Sequence, residues 1–238
     1  FHLPAEDLLP GSWQKLRGGE NLESVYWLYN RTGESFLLDL GRKLLARMSD
    51  WTSPILTPGR DRAPVESSFY HGVNIAMGFR YPGIYYQQSR DRSLLEAVER
   101  NYRQVMDGYG RQPGGMFGAD ENIRPGKSDP RQGAETCTMV EFMASFESLL
   151  KITGDPVWAD RAEEVAFNSL PASMTPDLKG LHYLTAANLI SCDRSGDHDF
   201  QNSGALVSYD PWSYRCCQHN VAFGWPCLAE HLWMATAD

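Results

Sequence analysis

Four residues stand out by type and spacing: Glu135, Cys137, Cys216 and Cys217. A carboxylate and a thiol two residues apart, joined at a distance by two adjacent thiols, supply one oxygen and three sulfur donors. Soft thiolates in a set of four suit zinc, held tetrahedrally with Zn–S near ~2.3 Å. A disulfide framework is a poor alternative. The chain has five cysteines, the others being Cys192 and Cys227, and Cys216 could bridge Cys217 only through a strained ring. Two blander readings stay open from spacing alone, since the chain has no Cys-x-x-Cys pair. Free cysteines are often small buried hydrophobes, and a closed four-ligand zinc usually holds a fold together without doing chemistry.

The local sequence gives Glu135 and Cys137 a reason to face the same way. Side chains two apart project together from an extended segment and nearly oppositely from a helix. Thr138 and Glu141 match a capping box, which predicts a helix starting just after Cys137 and an extended entry through Gly133–Cys137. The positive end of that helix would favour a thiolate.

Around these residues the chain reads as paired helices. Apolar residues at helical spacing predict helices over Asn21–Tyr29 and Glu34–Ser49, then Val73–Gln88 (interrupted near Pro82-Gly83) and Ser93–Met106. A third pair is expected over Met139–Ile152 and Val157–Leu170, and a last helix over Pro226–Ala235. The turns at Gly33, Asp91 and Gly154 recur about every sixty residues, the mark of an all-α toroid or solenoid of helical hairpins. Two long stretches, Gly108–Ala134 and Pro171–Cys217, lack helical periodicity, and each ends at one half of the cysteine cluster. Loops this long inside a compact domain are often functional.

Composition narrows the partners. A net charge of -8 argues against nucleic acid or an anionic membrane as a partner, because both need clustered Lys and Arg. No run of eighteen apolar residues suggests a membrane span, and no signal peptide is visible. Unbridged cysteines fit a reducing compartment, and metal ligation could protect thiolates elsewhere, so the compartment stays open between cytoplasm and periplasm. Neutral sugars, an oligosaccharide or glycan substrate among them, remain open.

Three segments carry a resemblance: Gly118-Ala119-Asp120-Glu121-Asn122, Gly133-Ala134-Glu135-Thr136-Cys137 and Cys216-Cys217-Gln218-His219-Asn220. With Gly18-Gly19-Glu20-Asn21 and Tyr70-His71-Gly72, they make the chain resemble the β-L-arabinofuranosidase family, glycoside hydrolase family 127 and its relatives. The resemblance implies an (α/α)6 barrel and a zinc-dependent retaining glycosidase that releases L-arabinofuranose. It implies zinc held by Glu135, Cys137, Cys216 and Cys217, with Cys216 also the nucleophile and Glu121 the general acid/base. It matches His71 to a sugar contact. His182, Tyr183, Trp212 and His219 are further substrate-binding candidates by position, with Tyr214 a second ring for stacking. His219 departs from the family pattern, which often has two prolines after the cysteine pair. About seven helices fall short of the twelve in an (α/α)6 barrel. Residues 1–238 are therefore expected to be a partial catalytic domain, without the family's N-terminal helices and C-terminal β-sandwich. Two other classes remain: another (α/α)6 enzyme, of the unsaturated uronyl hydrolase or epimerase type, and a non-catalytic carbohydrate-binding fragment with a structural zinc.

Overall fold

Three helical hairpins organise the chain. The computed structural model describes residues 8–56, 68–124, 132–201, 204–210 and 215–235. A single-turn α1 (Ser12–Leu16) leads into the first hairpin, α2 (Gly18–Thr32) and α3 (Phe36–Arg47). A short α4 (Gly72–Gly78) precedes the second, α5 (Tyr81–Ser89) and α6 (Ser93–Tyr109). The third is α7 (Thr136–Thr153) and α8 (Val157–Glu164), extended by a π turn to Ser169 and a 3-10 turn to Ser173. A final α9 covers Arg215–Glu230.

The hairpin turns share one geometry. Gly33, Arg90 and Gly154 each end a helix in the left-handed conformation, at φ 71, 61 and 70°. Each donates its N–H to the carbonyl four residues back, at 2.8–2.9 Å, which closes the orphaned last turn. In each, the residue three further on from the turn's acidic residue returns a bond to it: Leu37 to Glu34, Leu94 to Asp91, Trp158 to Asp155. The sixty-residue period expected from sequence is therefore a repeated structural unit.

The first helices of successive hairpins pack side by side. α2 meets α5, α5 and α4 meet α7, and α7 meets α9; α3, α6 and α8 back the row from the other side. This is the inner and outer layering of a helical toroid, followed for part of its circumference. Stripes at i, i+3 and i+4 account for the burial, with Leu22 and Tyr26 on α2, Leu37, Gly41 and Leu44 on α3, and Val98, Asn101 and Val105 on α6. Central α7 is buried nearly all round. Its Phe142 and Phe146 (centroids 4.3 Å apart) anchor an aromatic cluster with Phe79, Tyr102 and Trp158. No helix among the described residues is long and apolar enough to cross a membrane.

Several boundaries differ from the sequence expectation. The α4–α5 break falls at Phe79–Arg80, upstream of Pro82, because a proline has no N–H to give the carbonyl one turn back, at Gly78. The last helix begins at Arg215, and Pro226 lies inside it rather than at its start. α7 begins at Thr136, and its N-cap is Glu135 in place of Thr138. The cause of the last is strand pairing. β1 (Ala134–Glu135) pairs antiparallel with β3 (Leu184–Thr185), and β2 (Leu181–His182) with β4 (Val207–Ser208). Thr136 then donates its N–H to the Tyr183 carbonyl at 3.1 Å and its hydroxyl to the His182 carbonyl at 2.6 Å, and the chain turns helical there. These short pairings tie both long loops to the start of α7.

Candidate metal centre and active site

The cysteines meet where two helices begin. Cys137 lies in the first turn of α7 and Cys216 and Cys217 in the first turn of α9. The packed pair runs parallel, since Cys137 and Cys217 touch at one end while Glu147 and His231 touch at the other. Both positive helix ends are thus aimed at sulfur. Glu135, the extended N-cap of α7 at ψ 139°, brings its carboxylate to the same place. One ligand atom from each of Glu135, Cys137, Cys216 and Cys217 lies within 4.8 Å of all the others. Cys137 Sγ is 3.1 Å from Cys217 Sγ without a bridge, and Cys217 Sγ is 3.6 Å from Glu135 Oε1.

The second group is His71, Glu121 and Glu135, again within 4.8 Å of one another. His71 Nε2 lies 3.1 Å from Glu121 Oε2 and 3.9 Å from Glu135 Oε2. Glu135 belongs to both groups and joins them. Glu121 holds a left-handed φ of 100°, uncommon for a residue with a Cβ. Backbone pairing enforces it: Gly72 N–H donates to the Glu121 carbonyl at 2.7 Å and Ile123 N–H to that of Tyr70 at 3.0 Å. A side chain at Gly72 would strike Ala119, its Cβ falling 2.8 Å from that of Ala119. Strain of this kind concentrates at functional sites. Tyr183, on the bend between β2 and β3, donates its hydroxyl to Glu121 Oε1.

Burial biases the carboxylate and phenol of the group, and hydrogen bonds among the thiols bias the sulfurs. Desolvation, then the nearby Glu121 carboxylate, pushes Glu135 up to about 7. Hydrogen bonds to Cys216 and Cys217 push Cys137 upward, and hydrogen bonds from Cys137 and Cys217 hold Cys216 well below the usual thiol range. Burial, then Glu135, pushes Tyr183 up, so it keeps the proton it donates. Among the three sulfurs, Cys137 and Cys217 are buried and Cys216 is exposed.

The donor set fits a thiophilic divalent cation. Four groups that carry negative charge when ionised crowd one largely buried spot, and the buried Glu135 Oε2 has no hydrogen-bond partner. A cation answers both; otherwise protons must.

The remaining sequence candidates divide. Tyr183 points at Glu121, whereas His182 Nδ1 lies 2.6 Å from the Ala172 carbonyl, on the other side of an extended segment. His219 is exposed on α9, outside both groups. Trp212 and Tyr214 lie outside the described residues. Cys192 makes long contacts to the Leu184 and Leu206 carbonyls, and Cys227 is half-buried on α9. One residue was missed. Trp13, on α1, stands edge-on to His71 with ring centroids 5.5 Å apart. No periodicity marks that short polar segment, and only the contact with His71 reveals it.

Residues 6–230 match the family model described as β-L-arabinofuranosidase, GH127 catalytic domain. The chain belongs to this family. Comparison with curated proteins finds no match. Among solved structures, a glycoside hydrolase aligns over 90% of this chain and 38% of its own, at 16% identity and a TM-score of 0.58. A GH127 β-arabinofuranosidase aligns over 86% of this chain and 31% of its own, at 18% identity and a TM-score of 0.51. A sugar epimerase from a ruminal bacterium aligns over 74% and 48%, at 15% identity and a TM-score of 0.51. These likenesses are of fold: the row of hairpins is the glycoside hydrolase toroid, incomplete in this GH127 chain, which spans less than half the length of each neighbour.

Proposed function

We propose that this chain carries the active site of a zinc-dependent retaining glycoside hydrolase that releases L-arabinofuranose from β-linked arabinofuranosides. The observation that carries the reading is the division among the sulfurs. Three thiols and Glu135 form one donor set, yet within it Cys216 alone is exposed, and Glu121 shares the site through Glu135 and His71. A purely structural site gives no reason for that asymmetry.

On this reading Glu135, Cys137, Cys216 and Cys217 hold the zinc. When bound, the metal keeps the thiols ionised at neutral pH and lowers the basicity of their sulfurs. Cys216 Sγ attacks the anomeric carbon while Glu121 gives its proton to the departing oxygen. Glu121 then takes a proton from water, whose oxygen attacks the same carbon and breaks the C–S bond. Two inversions give retention, as with the usual pair of carboxylates about 5–5.5 Å apart. Tyr183 orients the Glu121 carboxylate by its hydroxyl. His71, between the two glutamates, is placed to contact the sugar. The same reading makes these 238 residues part of an (α/α)6 catalytic domain, three hairpins and a further helix of its ring.

The test combines metal content with product stereochemistry. Purified protein should hold one zinc per chain, release β-L-arabinofuranose with retention, and lose turnover in Cys216→Ala while still folding. Correctly folded protein without zinc, or Cys216→Ala with wild-type turnover, would overturn the proposal.

A further inference from the structure

The edge of the site holds an aromatic ring that the mechanism above does not use. Trp13 is 44% exposed although it packs against His71, the residue that contacts both glutamates. Its position is built. The Arg17 guanidinium lies 4.9 Å from the ring centroid, and Arg17 Nε donates to Asn74 Oδ1 at 2.8 Å. Asn74 is fully buried and donates to the Ser68 carbonyl at 2.6 Å. α1 itself is pinned by Trp51 Nε1 to the Leu16 carbonyl (3.0 Å) and by Ser49 N–H to the Lys15 carbonyl (2.8 Å). Among the described residues, the buried core cluster does not include this indole. An exposed ring held in place by a histidine and an arginine anchored on α4 presents a fixed apolar face to solvent at the site's rim.

Its place indicates which part of a substrate it meets. The sugar that is cleaved must reach Cys216. Glu121 protonates the departing oxygen, so the leaving group lies on the Glu121 side. His71 sits closer to Glu121 than to Glu135, and Trp13 lies against His71. We propose that Trp13 is the platform for the leaving group, stacking on the apolar face of a second sugar or a comparable ring. This role rests on the glycosidase reading. Ring stacking of this kind adds binding without taking part in proton or bond transfer.

The experiment varies the leaving group at constant sugar. Wild type, Trp13→Ala and Trp13→Phe are assayed on a methyl β-L-arabinofuranoside and on a β-linked arabinofuranosyl disaccharide. Trp13→Ala should raise KM for the disaccharide about tenfold, leave that for the methyl glycoside within twofold, and leave kcat for both within twofold. Trp13→Phe should restore most of the disaccharide affinity. Equal loss on both substrates, or no change on either, would overturn the platform while leaving the hydrolase intact. A wild-type chain inactive on both would instead overturn the hydrolase reading, and the platform with it.

Discussion

Glu121 and Tyr183 show how much a single hydroxyl can set. Tyr183 donates to the Glu121 carboxylate and fixes its orientation. On the proposed mechanism, kcat of Tyr183→Phe should fall about tenfold or more from lost orientation, with KM little changed. Steady-state kinetics of the variant check this. The cluster itself is legible in the sequence. Donor chemistry and spacing picked out Glu135, Cys137, Cys216 and Cys217, and family resemblance separated the cluster into roles. The capping box at Thr138 misled, because β1–β3 pairing at Glu135 is a tertiary event that local sequence does not carry. Thr138 is instead buried in the first turn of α7 with an unpartnered hydroxyl. His182 and Tyr183 were equal candidates in sequence, and only the course of the chain through β2 and β3 tells them apart.

Helices are legible in the sequence where they end in a turn and obscure where packing decides their bounds. Gly33 and Gly154 announce their turns chemically, while α9 hides its start. Gln218, His219 and Asn220 follow the cysteines without a helical stripe, and Pro226 looks like a beginning when it is an interior residue. Contact with α7 overrides propensity there. The far end of that contact is a latch. His231 Nδ1 lies 2.9 Å from Glu147 Oε2, and this bond pushes His231 upward, with burial and then Lys151 opposing. A raised folded-state pKa stabilises below the unfolded value, and the benefit is lost as pH rises through the folded one. His231→Gln should therefore lower the melting temperature near pH 5.5 and change it little in mildly alkaline buffer, as read by thermal melts across pH. A second element-scale prediction concerns the fit of α4. Gly78 faces the Trp51 indole so closely that a Cβ would fall 2.3 Å from a ring atom, and Trp51 is fully buried. Gly78→Ala should cost about 2–3 kcal/mol in denaturant unfolding.

For the molecule as a whole, the Glu135–cysteine donor cluster joins distant parts of the chain. Its members come from α9, from α7 and from the β1 end of a long loop, and Tyr183 brings in a second loop. A bound cation should act as a staple across them. Chelation should lower the melting temperature by several degrees, and zinc should restore it, since ligand binding at about a hundred times Kd adds about 2.7 kcal/mol. Differential scanning calorimetry with and without chelator checks this. The buried polar network of the inner row is a separate support. Arg80, 3% exposed, bonds Glu20, Glu23 and Ser145, linking the first three inner helices independently of metal. Chelated protein should accordingly keep its helical signal while losing activity.

The parallel pairing of α7 and α9 also has a consequence in time. Cys137 and Cys217 touch across 80 residues of sequence. On a ribosome adding roughly 5–20 residues per second, Cys217 follows Cys137 by about 4–16 s. Through that interval each hairpin already made can form from its own local contacts, while Glu135 and Cys137 wait as half a donor set. The donor set is completed only after that wait, and whatever reaches Cys137 meanwhile, an oxidant or a stray metal, arrives before its partners do.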